Sequence, residues 1–184
     1  MTCPVPLTSF PFGNHEARVY NTVGEMGEAA SEAAASIIKG ALSRKRKARI
    51  MIGTGNSQER TIGALVRRED LDWSRIEVFH MDEYIGLPAN HPASFRRWLR
   101  TRVADVARPA AMHYIEGDAP DIGEEIRRYT DLLLSEDLDM SFIGFGENGH
   151  IAFNDPHVAD FSDKETLKVV DQIGRASCRE RVCH

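Results

Sequence analysis

Apolar positions along the chain recur with two different periods, and the two alternate. From Arg18 to Leu42 they fall at Val19, Val23, Met26, Ala30, Ala33, Ile37 and Leu42. Steps of mostly three and four predict an amphipathic helix, although Gly24, Gly27 and Gly40 each weaken it. Ile50-Met51-Ile52 predicts a short buried strand. Ile62, Leu65 and Val66 then return at helical spacing, with Ser57 as the N-cap. Ile76 to Phe79 predicts a second strand. Phe95, Trp98, Leu99 and Val103 form the next helical stripe, read as core rather than as an aromatic binding platform. Met112 to Ile115 predicts a third strand. Asp121, with Glu124 three residues on, resembles a capping-box start. The helix that follows buries Ile122, Ile126, Tyr129, Leu132 and Leu133, and Asp139 to Gly144 is the fourth strand.

Strands that alternate with helices predict an α/β fold, with an open, mainly parallel sheet and helices on both faces. Residues 1–170 are expected to form a single domain. No sustained apolar period follows Val170, so residues 171–184, with Arg175, Arg179 and Arg181, are expected to lie outside the fold as a tail.

Composition narrows the functional class. Of 184 residues, 42% are apolar and 28% charged, ordinary for a water-soluble globular domain. A net charge of −5 argues against general binding to nucleic acid or membrane surfaces. The basic run Ser43 to Arg49 is read as a solvated loop, since no aromatic residues interleave it. No apolar run approaches the roughly 20 residues needed to span a bilayer. Cys3, Cys178 and Cys183 do not make a disulfide framework, which suggests a cytoplasmic location.

Candidate chemistry gathers at three strand ends. After the fourth strand comes Gly144-Phe-Gly146, then Glu147, Asn148, His150 and Asp155. Small residues beside ionisable ones suit a loop that receives a ligand close to its backbone, beyond the carboxyl edge of a parallel sheet. After the first strand, Gly53-Thr54-Gly55-Asn56-Ser57 leads into a helix, a geometry that binds anions. It matches neither the P-loop nor the dinucleotide fingerprint, so a phosphate cradle of another kind or a plain tight turn remain open. After the second strand stand Asp82 and Glu83. Neighbours in an extended chain point opposite ways, so only one can face a given substrate. His150, Asp155 and His157 have no recognised zinc spacing, and no metal is expected.

Three segments carry a family resemblance: Gly53 to Ser57, Phe79-His-Met-Asp-Glu-Tyr-Ile-Gly-Leu-Pro88, and Gly146-Glu-Asn-Gly-His-Ile-Ala-Phe-Asn-Asp-Pro156. The chain resembles the glucosamine-6-phosphate deaminases of the wider sugar-phosphate isomerase group, from about its first helix to about Val170. The resemblance implies a Rossmann-like fold without a nucleotide. It also implies conversion of glucosamine 6-phosphate and water to fructose 6-phosphate and ammonia, with no cofactor. By the same resemblance Asp82 is the enolisation base, His150 opens the sugar ring, and Asp155 orients His150. Many relatives have Asp where this chain has Asn148, and Glu where it has Asp155. Thr54, Gly55, Asn56 and Ser57 correspond to the substrate-phosphate loop, and Glu83 and Gly149 are counted among substrate contacts. The expected partner is a small amino-sugar phosphate, with no nucleic acid and no membrane; a homo-oligomer of the full-length protein stays open. A related phosphosugar isomerase or lactonase, or a non-catalytic sugar-phosphate-binding module, are the alternatives. The likeness ends near Val170, so the chain is expected to be a C-terminally truncated copy with an incomplete sheet, a non-native tail and impaired activity.

Overall fold

The structure is a computed structural model that describes residues 3–173 and 179–183. In chain order the strands are β1 (Thr8–Phe12), β2 (His15–Val19), β3 (Ala48–Ile52), β4 (Ile76–His80), β5 (Glu83–Tyr84), β6 (Ala111–His113), β7 (Met140–Phe142), β8 (Val169–Ile173) and β9 (Arg179–Cys183). The helices are α1 (Val23–Arg44), α2 (Glu59–Leu65), α3 (Phe95–Leu99), α4 (Asp105–Ala107) and α5 (Ile122–Leu134). A π-helical stretch, Arg100–Ala104, joins α3 to α4, and a 3-10 turn, Trp73–Arg75, leads into β4.

The organising element is a four-stranded sheet in the order β6-β4-β3-β7, with every pairing parallel. In sequence order of those strands this is 3-2-1-4, the first part of a doubly wound sheet. Alternation along the strands divides the core. Ile50, Ile52, Ile76 and Val78 pack with Ile38 of α1, Ile62 and Leu65 of α2, and Leu99 of α3. Phe79 packs on the other side with Tyr129 of α5, Ile115 and Leu167, and Met51 joins them. Helices therefore cover both faces, as the pattern predicted.

The boundaries of α1 differ from those read in the sequence. Its N-cap is Thr22, whose hydroxyl accepts from the Glu25 N–H at 3.1 Å. The residues before it form a β1–β2 hairpin instead of helix. A turn over Gly13 and Asn14, with Gly13 at φ 59°, allows that reversal. Gly27 of α1 has a packing role. A Cβ there would stand 2.7 Å from Arg60 Cβ and 2.9 Å from the Arg60 carbonyl carbon, so its absence lets α1 and α2 approach closely. The N-cap of α2 is Gln58, not Ser57, and no side chain caps that end.

The basic run also resolves differently. α1 continues to Arg44, and Arg49 is a buried residue of β3. Its guanidinium donates to the carbonyls of Leu132 (2.7 Å) and Leu133 (3.4 Å) at the end of α5, and stacks 4.5 Å from the Phe79 ring centroid. Lys45 pairs with Asp139 at 2.8 Å and Lys47 with Glu77 at 2.5 Å. The expected capping of α5 is present, with Asp121 accepting from the Glu124 N–H at 3.0 Å.

Residues 171–184, read as a tail without a packed element, differ in part. β8 and β9 pair antiparallel, and β5 pairs with β9, in a three-stranded sheet. Residues 174–178 and 184 of that segment lie outside the described residues. Among the described residues, no helix is long and apolar enough to cross a membrane.

Candidate active site

The strand order reverses between β3 and β7, because β3 has the earlier crossover to β4 on one side and β7 on the other. In open α/β sheets that reversal opens a crevice at the carboxyl edge. Here the crevice is a cleft of about 220 Å³. Gly53, Thr54 and Ser57 line it after β3, Met81 and Asp82 after β4, and Gly144 to Gly146, His150 and Ala152 after β7. Segments far apart in sequence thus meet because their strands are parallel neighbours.

Asp82 is almost wholly buried, and its Oδ1 has no hydrogen-bond partner among the described residues. Burial pushes its pKa up to about 7, and the neighbouring Glu83 charge adds to the shift. A carboxyl poised there can both take and return a proton at neutral pH. Thr54 Oγ1, on the same cleft wall, is likewise without a partner among the described residues.

His150 stands in a hydrogen-bonded group of three side chains. Its Nδ1 lies 2.7 Å from Asn148 Oδ1 and 3.1 Å from Asp155 Oδ1. The Asn148 amide donates to Asp155 Oδ1 at 2.8 Å. Both neighbours of Nδ1 are acceptors, so the proton sits on Nδ1 and the Nε2 lone pair is left free. The amide at position 148 reconciles the group, because it accepts from the histidine while donating to the carboxylate. The loop closes by Gly146 N–H to the His150 carbonyl and Gly149 N–H to the Gly146 carbonyl, both 2.9 Å. The imidazole packs directly over Gly146, where a Cβ would fall 2.1 to 2.5 Å from ring atoms.

Other predicted residues fall elsewhere. Glu83 is corrected as a substrate contact: its carboxylate is fully buried and its oxygens are taken by the start of α3. Gly149 faces a separate hollow with Ile151 and Asn154. Gly55 and Asn56 make the turn beside Thr54, their carbonyls accepting from the N–H groups of Gln58 and Glu59, and are not among the cleft-lining residues. Asn148 and Asp155 stand behind His150 rather than on the wall. His157 Nε2 lies 3.2 Å from the Asp171 carbonyl oxygen. Sequence reasoning missed Met81 as part of the wall. It also missed Phe153, whose burial against Phe95 and Tyr84 anchors the His150 loop. Phe153 sits at the centre of the third motif, which is the signal that marks it.

Both the sequence and the fold match known proteins. A family model described as glucosamine-6-phosphate isomerases/6-phosphogluconolactonase matches residues 21–182, past the point where the sequence reading ended the likeness. A glucosamine-6-phosphate deaminase of Exiguobacterium sp. is 35% identical over 159 residues, covering 85% of this chain and 61% of the relative. One from Arthrobacter sp. is 33% identical over 152 residues, covering 79% and 58%. The chain therefore spans about three-fifths of the length of the curated relatives it matches. Among solved structures, a monomeric glucosamine-6-phosphate deaminase superposes with a TM-score of 0.76 at 27% identity, covering 88% of this chain and 72% of that one. A 6-phosphogluconolactonase from Thermotoga maritima gives 0.72 at 20% identity, covering 85% and 71%, a likeness of fold.

Proposed function

Because the chain belongs to the glucosamine-6-phosphate isomerase/6-phosphogluconolactonase family, we propose that its cleft is the active site of a deaminating aldose–ketose isomerase. Its substrate is glucosamine 6-phosphate, and its products are fructose 6-phosphate and ammonia. The observation that carries this reading is Asp82, a buried carboxyl on the cleft wall with an unpartnered oxygen and a pKa pushed up to about 7.

The reaction divides into proton transfers that these residues suit. His150 Nε2 takes the proton of the anomeric hydroxyl and delivers it to the ring oxygen, which opens the ring. Asp155 and Asn148 hold the imidazole tautomer that makes this direction available. Asp82 takes the proton from C2 while the C2 ammonium passes a proton to the C1 oxygen, forming an enolamine across C1 and C2, and Asp82 then returns its proton to C1. The resulting ketimine at C2 adds water and expels ammonia. One base suffices because C1 and C2 are adjacent. The hydroxyls of Thr54 and Ser57 hold the phosphate at the far end of the chain from the reacting carbons.

Hydrolysis of a lactone breaks no C–H bond, so it gives Asp82 no task. The relatives at 33–35% identity named above are deaminases, while the lactonase structure is likened only in fold. The test is to incubate the chain separately with glucosamine 6-phosphate and with 6-phosphogluconolactone. The expected outcome is ammonia from the first and no accelerated hydrolysis of the second. Lactone hydrolysis without ammonia release would overturn the proposal in favour of the lactonase reading, and binding without turnover in favour of a sugar-phosphate-binding module.

A further inference from the structure

Glu83 follows Asp82 directly, yet its side chain is fully buried and away from the cleft. Four donors hold the carboxylate: the N–H groups of Tyr84 (2.9 Å), Phe95 (3.2 Å) and Arg96 (2.9 Å), and the Ser94 hydroxyl (2.8 Å). The Arg96 guanidinium lies 3.5 Å from Glu83 Oε2, pairs with Asp118 at 2.8 Å and donates to the Leu87 carbonyl at 2.7 Å. The Arg96 and Ser94 side chains are themselves buried.

Burying a carboxylate is costly unless it is paired and hydrogen-bonded. This one is satisfied by donors that belong mainly to the start of α3, across the intervening loop. Neighbouring residues in extended backbone point to opposite sides. Fixing Glu83 into α3 therefore turns Asp82 the other way, toward the cleft. It also keeps a fully buried negative charge beside Asp82.

We propose that Glu83 is a positioning residue for Asp82, a buried joint between β4 and α3 that aims the neighbouring carboxyl and sets its electrostatic surroundings. This rests on the reading of Asp82 as the proton-transfer base. The other charged or titratable groups near the pair include Arg96 from α3, Tyr84 beside Glu83, Asp118 from the turn after β6, His150 across the cleft and His80 from β4. Burial holds His80 down to about 3, so it stays neutral. Removing the Glu83 charge should let Asp82 ionise more readily, since that charge raises the Asp82 pKa.

The experiment follows the Asp82 carboxyl by carbon-13 NMR titration, assigned by its absence in Asp82→Asn, beside steady-state kinetics on glucosamine 6-phosphate. Glu83→Gln should lower the Asp82 midpoint by about half a pH unit or more and carry the acid limb of kcat/KM with it. kcat should fall about tenfold or more while KM changes less than about twofold. Glu83→Asp and Ser94→Ala keep the charge but disturb the joint, so kcat should fall without that downward shift. They carry the test if Glu83→Gln does not fold. A large rise in KM with an unmoved midpoint would make Glu83 a substrate ligand and overturn the proposal. So would unchanged kcat in both charge-retaining variants. The titration needs no turnover. A wild-type chain that releases no ammonia while its Asp82 midpoint responds to Glu83→Gln would sink the deaminase reading alone.

Discussion

The rings of Tyr84 and Phe153 lie 5.3 Å apart at an interplanar angle of 50°, and so tie the turn that carries Asp82 to the loop that carries His150. Phe95 completes the cluster, 5.1 Å from Tyr84 and stacked 5.8 Å from Phe153. Two of the three motif segments are thus joined by packing, and the start of α3 is joined to both.

Phe153→Leu keeps an apolar side chain but loses the ring stacking. It should cost roughly 1 kcal/mol in stability. If the cluster sets the distance between base and ring-opening histidine, kcat should fall about tenfold or more, since small misplacements in a site cost orders of magnitude. Urea unfolding and steady-state kinetics on one preparation check both. A stability loss with unchanged kcat would make the cluster merely structural.

Gly146→Ala places a methyl group inside the volume of the His150 ring. The imidazole must swing away from Asn148 and Asp155. The variant should behave like His150→Gln, losing far more activity on the closed-ring substrate than on an open-chain analogue. Equal losses on both substrates would count against ring opening by His150.

Asn148→Asp introduces the acid that the family resemblance implies at this position, yet here it should do harm. The present amide donates to Asp155 at 2.8 Å, and two carboxylates at that separation cannot both ionise. One should hold a proton well above the normal carboxylate range, visible in a carboxyl titration, with kcat at pH 7 lowered about tenfold. Equal or higher activity would show that the amide is not what makes the shorter Asp155 workable.

Asp82 has a consequence for stability with a definite sign. Its folded pKa of about 7 lies above its value of 3.8 outside the fold. The folded state therefore binds more protons between those values, and stability is lost as pH rises from about 4 to about 7. Asp82→Asn has no such loss. Relative to the parent it should gain stability between pH 4 and pH 8, by at most about 4 kcal/mol. Denaturant unfolding at the two pH values measures this. A variant that gains nothing on going to pH 8 would contradict the burial of an ionisable Asp82.

Much of the sheet was legible because its strands are short apolar runs, such as Ile50 to Ile52, bounded by glycine or charge. The switch-point cleft followed from strand ends that carry the unusual residues. What stayed hidden depended on partners distant in sequence. Arg49 looks like one more basic residue of a loop until α5 offers it two free carbonyls. Glu83 looks like a second site carboxylate until the N–H groups of α3 claim it. Gly27 reads as a helix breaker until Arg60 is seen against it. The β1–β2 hairpin was missed because Pro11 and exposed residues blur its alternation, although the Gly13-Asn14 turn signals it.

The central claim is that Asp82 carries a proton from C2 to C1. Glucosamine 6-phosphate deuterated at C2 tests it directly, with ammonia release followed alongside the deuterium content at C1 of the product. The account predicts ammonia release with part of the deuterium delivered to C1 and the rest exchanged to water. It also predicts a fall of about 10²-fold or more in Asp82→Asn, with substrate binding nearly intact. Ammonia release by Asp82→Asn at the parent rate, or product in which all the deuterium has gone to water and none has reached C1, would contradict it.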